Sequence, residues 1–168
     1  MGASLRAGVI GVGSMGRNHA RVYASLESVD LVAVCDASPA AAGAVGAISI
    51  VVPTVEHYAV ASEVIRYGVG LLVEKPIAAT VEQGQALIDA ARRAGVVLTV
   101  GHIERFNPAI IALKEQIDDY ELGAVFQVAA RRVGPFPQRI SDVGVVIDLA
   151  THEMDILNYL IGAPVSRM

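Results

Sequence analysis

Three small groups of residues in this chain have the types and the spacing to do chemistry. The first is Gly11-x-Gly13-x-x-Gly16, which encloses Ser14 and Met15. Glycines at this spacing let a backbone turn tightly, approach a pyrophosphate and bring a helix close to the preceding strand. The free N–H groups and positive end of that helix then face an anion. The second group is Lys75, between Glu74 and Pro76. The chain has eleven arginines and two lysines, Lys75 and Lys114, so a lysine is mildly informative here. Of the two cations only lysine can be brought to a useful pKa by its surroundings. The third group is Asp148-x-x-x-His152, with Asp155 three residues further on. On a helix Asp148 and His152 share a face. A carboxylate beside an imidazole fixes its tautomer and raises its basicity, as a general base needs. By spacing alone the pair reads slightly better as a helix-surface contact worth about 0.2–0.5 kcal/mol. The apolar run VGVVIDLA around Asp148 argues against a merely solvated carboxylate. No second histidine stands at ligand spacing, so no metal site is expected.

These groups need elements to position them. Residues 7–12 read as a buried strand, the glycine turn follows, and a helix spans about 15–26. Strand, turn and helix together are the context a dinucleotide-binding fingerprint requires. A second strand, 31–35, ends in Asp36, about 20 residues past the last glycine, where a ribose-binding carboxylate is expected. An acid there favours NAD over NADP, whose 2′-phosphate would meet a like charge. A short alanine-rich helix at 38–45 precedes a strand at 47–52, ended by Pro53-Thr54. A helix at 56–67 leads to a strand at 71–74, which ends in Lys75-Pro76. Pro76 biases Lys75 towards an extended conformation. Thr80-x-x-Gln83 is a capping box opening a helix that stops at Gly95. A strand at 96–100 then ends in Gly101-His102. Repeated βα alternation predicts an α/β, doubly wound parallel sheet of Rossmann type.

One interval is short. About eleven residues separate Asp36 from Ile48, close to the minimum for a parallel crossover. Either a unit of roughly 30 residues is missing, or the short helix crosses directly to the far side of the first strand. Ligands bind beyond the carboxyl ends of strands in such sheets. Those ends carry the glycine turn, Asp36, Pro53-Thr54, Lys75 and His102, with His57 just after one of them. His19 and Arg21 lie in the early turns of the first helix; a solvated face is the plain reading of both and the preferred one for Arg21. Beyond residue 103 the pattern changes to a helix ending near Asp118, a strand at 124–133, a proline-rich loop at 134–139 and a helix at 145–160. One strand and two helices do not make a domain. Residues 1–103 are expected to form a dinucleotide-binding domain, and 104–168 the incomplete opening of a second.

The net charge of −4 excludes a broad electrostatic attraction to nucleic acid. Apolar residues make up 54% of the chain, and the mean hydropathy of +0.52 is high. Strands buried on both faces and an unfinished domain would account for this. No stretch is long and apolar enough to span a bilayer. No signal-peptide pattern precedes the first strand. The single cysteine, Cys35, allows no intrachain disulfide. A reducing compartment, the cytoplasm, is the expected setting.

The motifs GVGSMGRNHAR, VVPTVEHY, VEKPIA, VGHIERFNPA and DLATHEMD resemble the Gfo/Idh/MocA family of NAD(P)-dependent oxidoreductases, through nearly the whole chain. Glu74-Lys75-Pro76 followed by Asp148-x-x-x-His152 is the most specific part. The resemblance implies a Rossmann domain followed by an α/β domain with an open sheet, often used for homo-oligomerisation. It implies Lys75 and His152 as catalytic pair, supported by Asp148. It implies NAD contacts from Gly11, Gly13, Ser14, Met15, Gly16, Asp36, Pro53, Thr54, His57, Glu74 and Lys75. Substrate contacts would come from His102, Arg105, Asn107, Arg131, Asp148 and His152. The segments GHIERFNPA and RRVGPFPQRISDVGVVIDLATHE are most similar to the sugar-nucleotide branch, with its UDP-N-acetylglucosamine 3-dehydrogenase-like members. The implied reaction moves a hydride between a sugar secondary alcohol and nicotinamide. Arg105, Arg131, Arg132 and Arg139 are candidates for a substrate diphosphate, with a solvated surface about as good a reading. Oxidation of another polyol, an NAD-using glycosidase reaction, and a non-catalytic nucleotide-binding fragment are the alternatives. The chain departs from the family between residues 42 and 47, where the usual third strand and its helix are lacking. It also ends at Met168, before most of the second-domain sheet.

Overall fold

Five short apolar runs form one parallel sheet in a computed structural model that describes residues 3–36, 45–131, 133, 150–163 and 165. They are β1 (Leu5–Ile10), β2 (Val29–Cys35), β3 (Ala47–Ile50), β4 (Gly70–Val73) and β5 (Leu98–Val100). Their order is β2-β1-β3-β4-β5, and every neighbouring pair is parallel. Three helices connect them: α1 (Ser14–Ser25), α2 (Thr54–Ile65) and α3 (Val81–Ala94).

Side chains alternate across a strand, and the alternation in β3 sorts the two faces. Ile48 and Ile50 pair in register with Leu71 and Val73 of β4. These four join Val60, Ala61 and Val64 of α2 and Leu87 and Ala91 of α3 in the apolar core. Ser49 points to the other face, where Tyr23 and His19 of α1 meet it. Helices therefore cover both faces, as a doubly wound sheet requires. β3 lies against β1 on the side away from β2, so the short interval does cross directly to the far side of the first strand. The six-stranded Rossmann order is 3-2-1-4-5-6. The observed order is that arrangement without the strand outside β2.

β5 begins later than the expected residue 96. The Val96 N–H donates to the Ala91 carbonyl at 3.1 Å, closing the end of α3 behind Gly95, which takes the left-handed conformation. That donor is spent before the ladder starts. The Thr80 cap is present, with the Gln83 N–H donating to Thr80 Oγ1 at 3.2 Å.

The chain divides into two compact units, Met1–Gly101 and His102–Met168. In the second, a 3-10 turn (Ile103–Phe106) leads into α4 (Pro108–Asp118), and α5 spans Thr151–Ile161. The expected strand at 124–133 is corrected: residues 124–131 and 133 are in no strand. A strand exists only as part of a hydrogen-bonded ladder, and no described residue of this unit pairs with the segment. The helix expected at 38–45 lies outside the described residues except for Val45, which is in no helix, and residues 145–149 of the helix expected at 145–160 lie outside them as well. No helix among the described residues is long and apolar enough to cross a membrane.

Candidate cofactor and active site

The β1–α1 turn is shaped by its glycines. Gly11 has φ +98°, and a Cβ there would stand 2.4 Å from the Val51 carbonyl oxygen. A Cβ on Gly16 would stand 1.8 Å from the Gly11 carbonyl oxygen. Neither position admits a side chain. Gly13 is the N-cap of α1 and faces open space, with nothing within 4 Å of its would-be Cβ. No side chain caps α1, and its first turn holds no acid. The first-turn N–H groups, around Ser14, Met15 and Gly16, have no intrahelical partner. They form a cradle for an anion. Asp36, just past the end of β2, brings Oδ1 to 3.4 Å from the Val12 N–H. The open cradle and the acid beside it fit the phosphates and ribose of a dinucleotide.

The carboxyl ends of β3 and β4 carry the next residues. Pro53 caps α2 and Thr54 begins it, largely buried. Lys75 is half-buried and joined to Pro76 by a cis peptide bond. Glu74 is 14% exposed and lies 3.0 Å, through Oε1, from His19 Nε2. A carboxylate only accepts, so Nε2 carries the proton. In the neutral ring His19 Nδ1 then accepts from Ser49 Oγ at 3.1 Å, and Ser49 accepts from the Tyr23 hydroxyl at 2.6 Å. Burial alone would raise the Glu74 pKa. The hydrogen bond from His19, the charge of that ring when protonated, the Lys75 backbone N–H and the Lys75 charge outweigh it, and hold Glu74 below the ordinary 4.5.

His57 requires a correction. Expected along the cofactor edge, its imidazole is 1% exposed. Nδ1 lies 2.8 Å from the Pro76 carbonyl oxygen and Nε2 3.0 Å from that of Val52. The ring is enclosed by backbone and is closed to a ligand. His19, which the sequence leaves open, reaches the sheet at Ser49 and Glu74. The signal was present: Gly16 packs against the turn, and His19 and Tyr23 follow it by three and seven residues, on the same helix face.

In the second unit Arg105 forks the Asp155 carboxylate, Nε to Oδ2 at 2.9 Å and Nη2 to Oδ1 at 2.5 Å. Its guanidinium lies 5.8 Å from the centre of the Tyr159 ring. Asp155 is 9% exposed, and His102 Nδ1 stands 3.5 Å from it. The planar fork proposed for a diphosphate is therefore engaged by a buried carboxylate. Asn107 caps α4, accepting from the Ala109 N–H at 3.1 Å. His152 lies half-buried in the first turn of α5, and Arg131 is exposed. Asp148, Arg132 and Arg139 lie outside the described residues. Among the described residues no cluster of three His, Cys, Asp or Glu side chains is placed to hold a metal.

A parallel sheet with a glycine turn, a bare helix start and an acid after the second strand defines a dinucleotide-binding unit. Residues 40–102 match the family model of the Gfo/Idh/MocA oxidoreductases, described as an NAD-binding Rossmann fold. The chain is 38% identical over 176 residues to UDP-N-acetylglucosamine 3-dehydrogenase of Acidithiobacillus ferrooxidans, covering 95% of itself and 55% of that protein. It is 29% identical to inositol 2-dehydrogenase of Rhizobium meliloti, covering 97% and 57% respectively. The solved structure of the Acidithiobacillus enzyme superposes with a TM-score of 0.86 at 36% identity, over 98% of this chain and 60% of that one. GenD2 from gentamicin A biosynthesis, solved in complex with NAD, superposes with a TM-score of 0.84 at 26% identity, over 98% and 56%. Residues 40–102 match the cofactor-binding unit of that family, and the chain as a whole is similar to its sugar and polyol dehydrogenases. It spans about half the length of the curated relatives it matches.

Proposed function

We propose that this chain carries the NAD-binding part, and the start of the substrate-binding part, of a dehydrogenase acting on a secondary alcohol of a sugar, most simply a nucleotide sugar. The β1–α1 turn carries the proposal. Its open Gly13 cradle, uncapped helix start and adjacent Asp36 are what a dinucleotide with an unsubstituted ribose needs. The likeness to UDP-N-acetylglucosamine 3-dehydrogenase supports the nucleotide-sugar substrate. NAD, when bound, supplies the hydride-accepting ring. Within the chain, Ser14, Met15 and Gly16 offer N–H groups to its phosphates, and Asp36 accepts from the ribose hydroxyls. Lys75 hydrogen-bonds the reacting oxygen and stabilises its developing charge. His152 takes the hydroxyl proton as general base, with Asp148 as its support. Residues 1–103 act as the cofactor domain and 104–168 as the opening of the substrate domain, in a homo-oligomer. A cytoplasmic setting suits the single cysteine. The likeness to inositol 2-dehydrogenase favours a free polyol as the second substrate reading.

Calorimetric titration of NADH into the 168-residue chain tests the proposal. Saturable binding is expected, weakened about tenfold or more in Asp36→Ala, the scale of one lost pair of ribose hydrogen bonds. Equal affinity in both proteins would remove Asp36 from the site. No binding by folded wild-type chain would remove the cofactor role itself.

A further inference from the structure

Lys75 is flanked by two residues that are each held by a histidine from another element. On one side is Glu74, whose carboxylate meets His19 of α1 at 3.0 Å. Glu74 is the residue before Lys75 in the chain, so the His19 contact fixes the position next to the Lys75 backbone. On the other side is Pro76, whose carbonyl oxygen meets His57 of α2 at 2.8 Å. The far nitrogen of each ring is anchored as well. His19 Nδ1 is held by Ser49, and His57 Nε2 faces the Val52 carbonyl oxygen at 3.0 Å, so a neutral His57 ring donates to one of its two carbonyls and packs against the other.

The anchoring departs from what packing alone would select. Ser49 is fully buried in a central strand between Ile48 and Ile50. An apolar residue there would bury without needing a partner. Its hydroxyl is held between Tyr23 and His19, so a polar line crosses an otherwise apolar interface. The neighbouring strand end is also shaped for it. A Cβ on Gly101 would stand 3.0 Å from Glu74 Oε1, so glycine there leaves room for the carboxylate.

We propose that His19 and His57 are positioning residues for Lys75, which they hold in one placement through the Glu74 carboxylate and the Pro76 carbonyl. The inference rests on the reading of Lys75 as the group that meets the reacting oxygen. Its test does not depend on turnover. The chain has two lysines, so protein labelled with 13C,15N-lysine gives two sets of NMR signals. Lys114, ion-paired with Asp118 on α4, is the internal reference. In His19→Phe the Lys75 backbone and side-chain signals should shift and broaden while those of Lys114 stay in place. His19→Gln, whose amide can still donate to Glu74, should return the Lys75 signals most of the way. Glu74→Gln keeps the shape and removes the charge, and should move Lys75 again; it decides the matter if His19→Phe does not fold. His57→Gln should disturb Lys75 from the Pro76 side. Unmoved Lys75 signals in folded His19→Phe and Glu74→Gln, with only a lower melting temperature, would assign the histidines to the core and overturn the proposal. NADH titration of the same samples separates the two readings. A wild-type chain that fails to bind NADH, with Lys75 still responding to His19, overturns the cofactor role alone. NADH binding with Lys75 indifferent to His19, His57 and Glu74 overturns the positioning role alone.

Discussion

Seventeen apolar residues are buried among the described ones, and sixteen of them lie in the first unit; the second contributes Leu160. The two units hold their functional residues by different means. In the first, the glycine turn, Asp36, Glu74 and Lys75 sit at strand ends fixed by a parallel ladder and an apolar core. In the second, the described residues carry little core. Polar contacts set their places: Arg105 on Asp155, His102 beside it, and Asn107 at the start of α4. Large aromatic and aliphatic side chains there remain outside, with Phe106 79% and Phe126 96% exposed. Where the core is thin, a single ion pair or cap is a larger share of what holds an element.

Backbone crowding at the β1–α1 turn gives the strongest way to break the first unit. Gly16→Ala places a Cβ 1.8 Å from a carbonyl oxygen, and neither atom belongs to a flexible side chain. The helix must move off the strand, at an expected cost of about 3–5 kcal/mol, read from urea unfolding. Gly13→Ala is the control. Its Cβ enters open space, so stability should fall by under about 1 kcal/mol while NADH binding is lost. Equal destabilisation by the two changes would mean the turn is held by something other than close packing.

In the second unit the corresponding change is Arg105→Met. It strips the charged partner from a carboxylate that is 9% exposed. Full burial of such a pair makes its disruption cost about 3–5 kcal/mol. Arg105 is itself 44% exposed, so about 2 kcal/mol is the better expectation. Hydrogen exchange of α4 and α5 amides should report it. Asp155→Leu in the Arg105→Met background should recover most of the loss, because the orphaned charge goes with it.

The same contrast separates what could be read in the residues from what could not. The strands, the helices and the glycine turn are short-range patterns, and they stand close to where periodicity places them. Counting residues shows the interval before β3 to be short and leaves a missing unit or a far-side crossing open; the strand order decides for the crossing. The strand expected at 124–133 failed because pairing is not a property of a segment. Its β-branched residues have no ladder to join among those described. His57 looked like a strand-end ligand, but its two nearest oxygens belong to Val52 and to Pro76, nineteen residues on. Arg105 and Asp155 are fifty residues apart, and nothing local in either announces the other. His19 was different: the face it shares with Gly16 was there to be read.

Glu74 offers a finer probe of the first unit. Its pKa is lowered in the folded protein, so its contribution is present above the unfolded value near 4.5 and is lost as pH falls through the lower folded value. Glu74→Gln at pH 7 should cost about 1.5 kcal/mol, the worth of a charge-assisted hydrogen bond. The gap between the urea midpoints of wild type and variant should then close on acidification below 4.5. A gap that persists at pH 3 would mean that something other than the titration of Glu74 separates the two proteins.

The smallest changes make the most even comparison, since each unit has a helix capped in the same way. Thr80 accepts from the Gln83 N–H at 3.2 Å to start α3, and Asn107 accepts from the Ala109 N–H at 3.1 Å to start α4. Either cap, replaced by alanine, should cost about 1 kcal/mol. The consequences should differ. α3 lays Leu87 and Ala91 into the core, so its amides draw on the stability of the whole first unit, and Thr80→Ala should raise exchange of that unit's slowest amides together, in the strands as well as in α3. α4 has no buried residue of its own, so its protection is local. Asn107→Ala should therefore raise exchange through the first two turns of α4 by about fivefold, the equivalent of that 1 kcal/mol. A response to Asn107→Ala spread over the whole of its unit, and not confined to the start of α4, would mean that α4 draws on a core as α3 does, and the contrast between the units would fall.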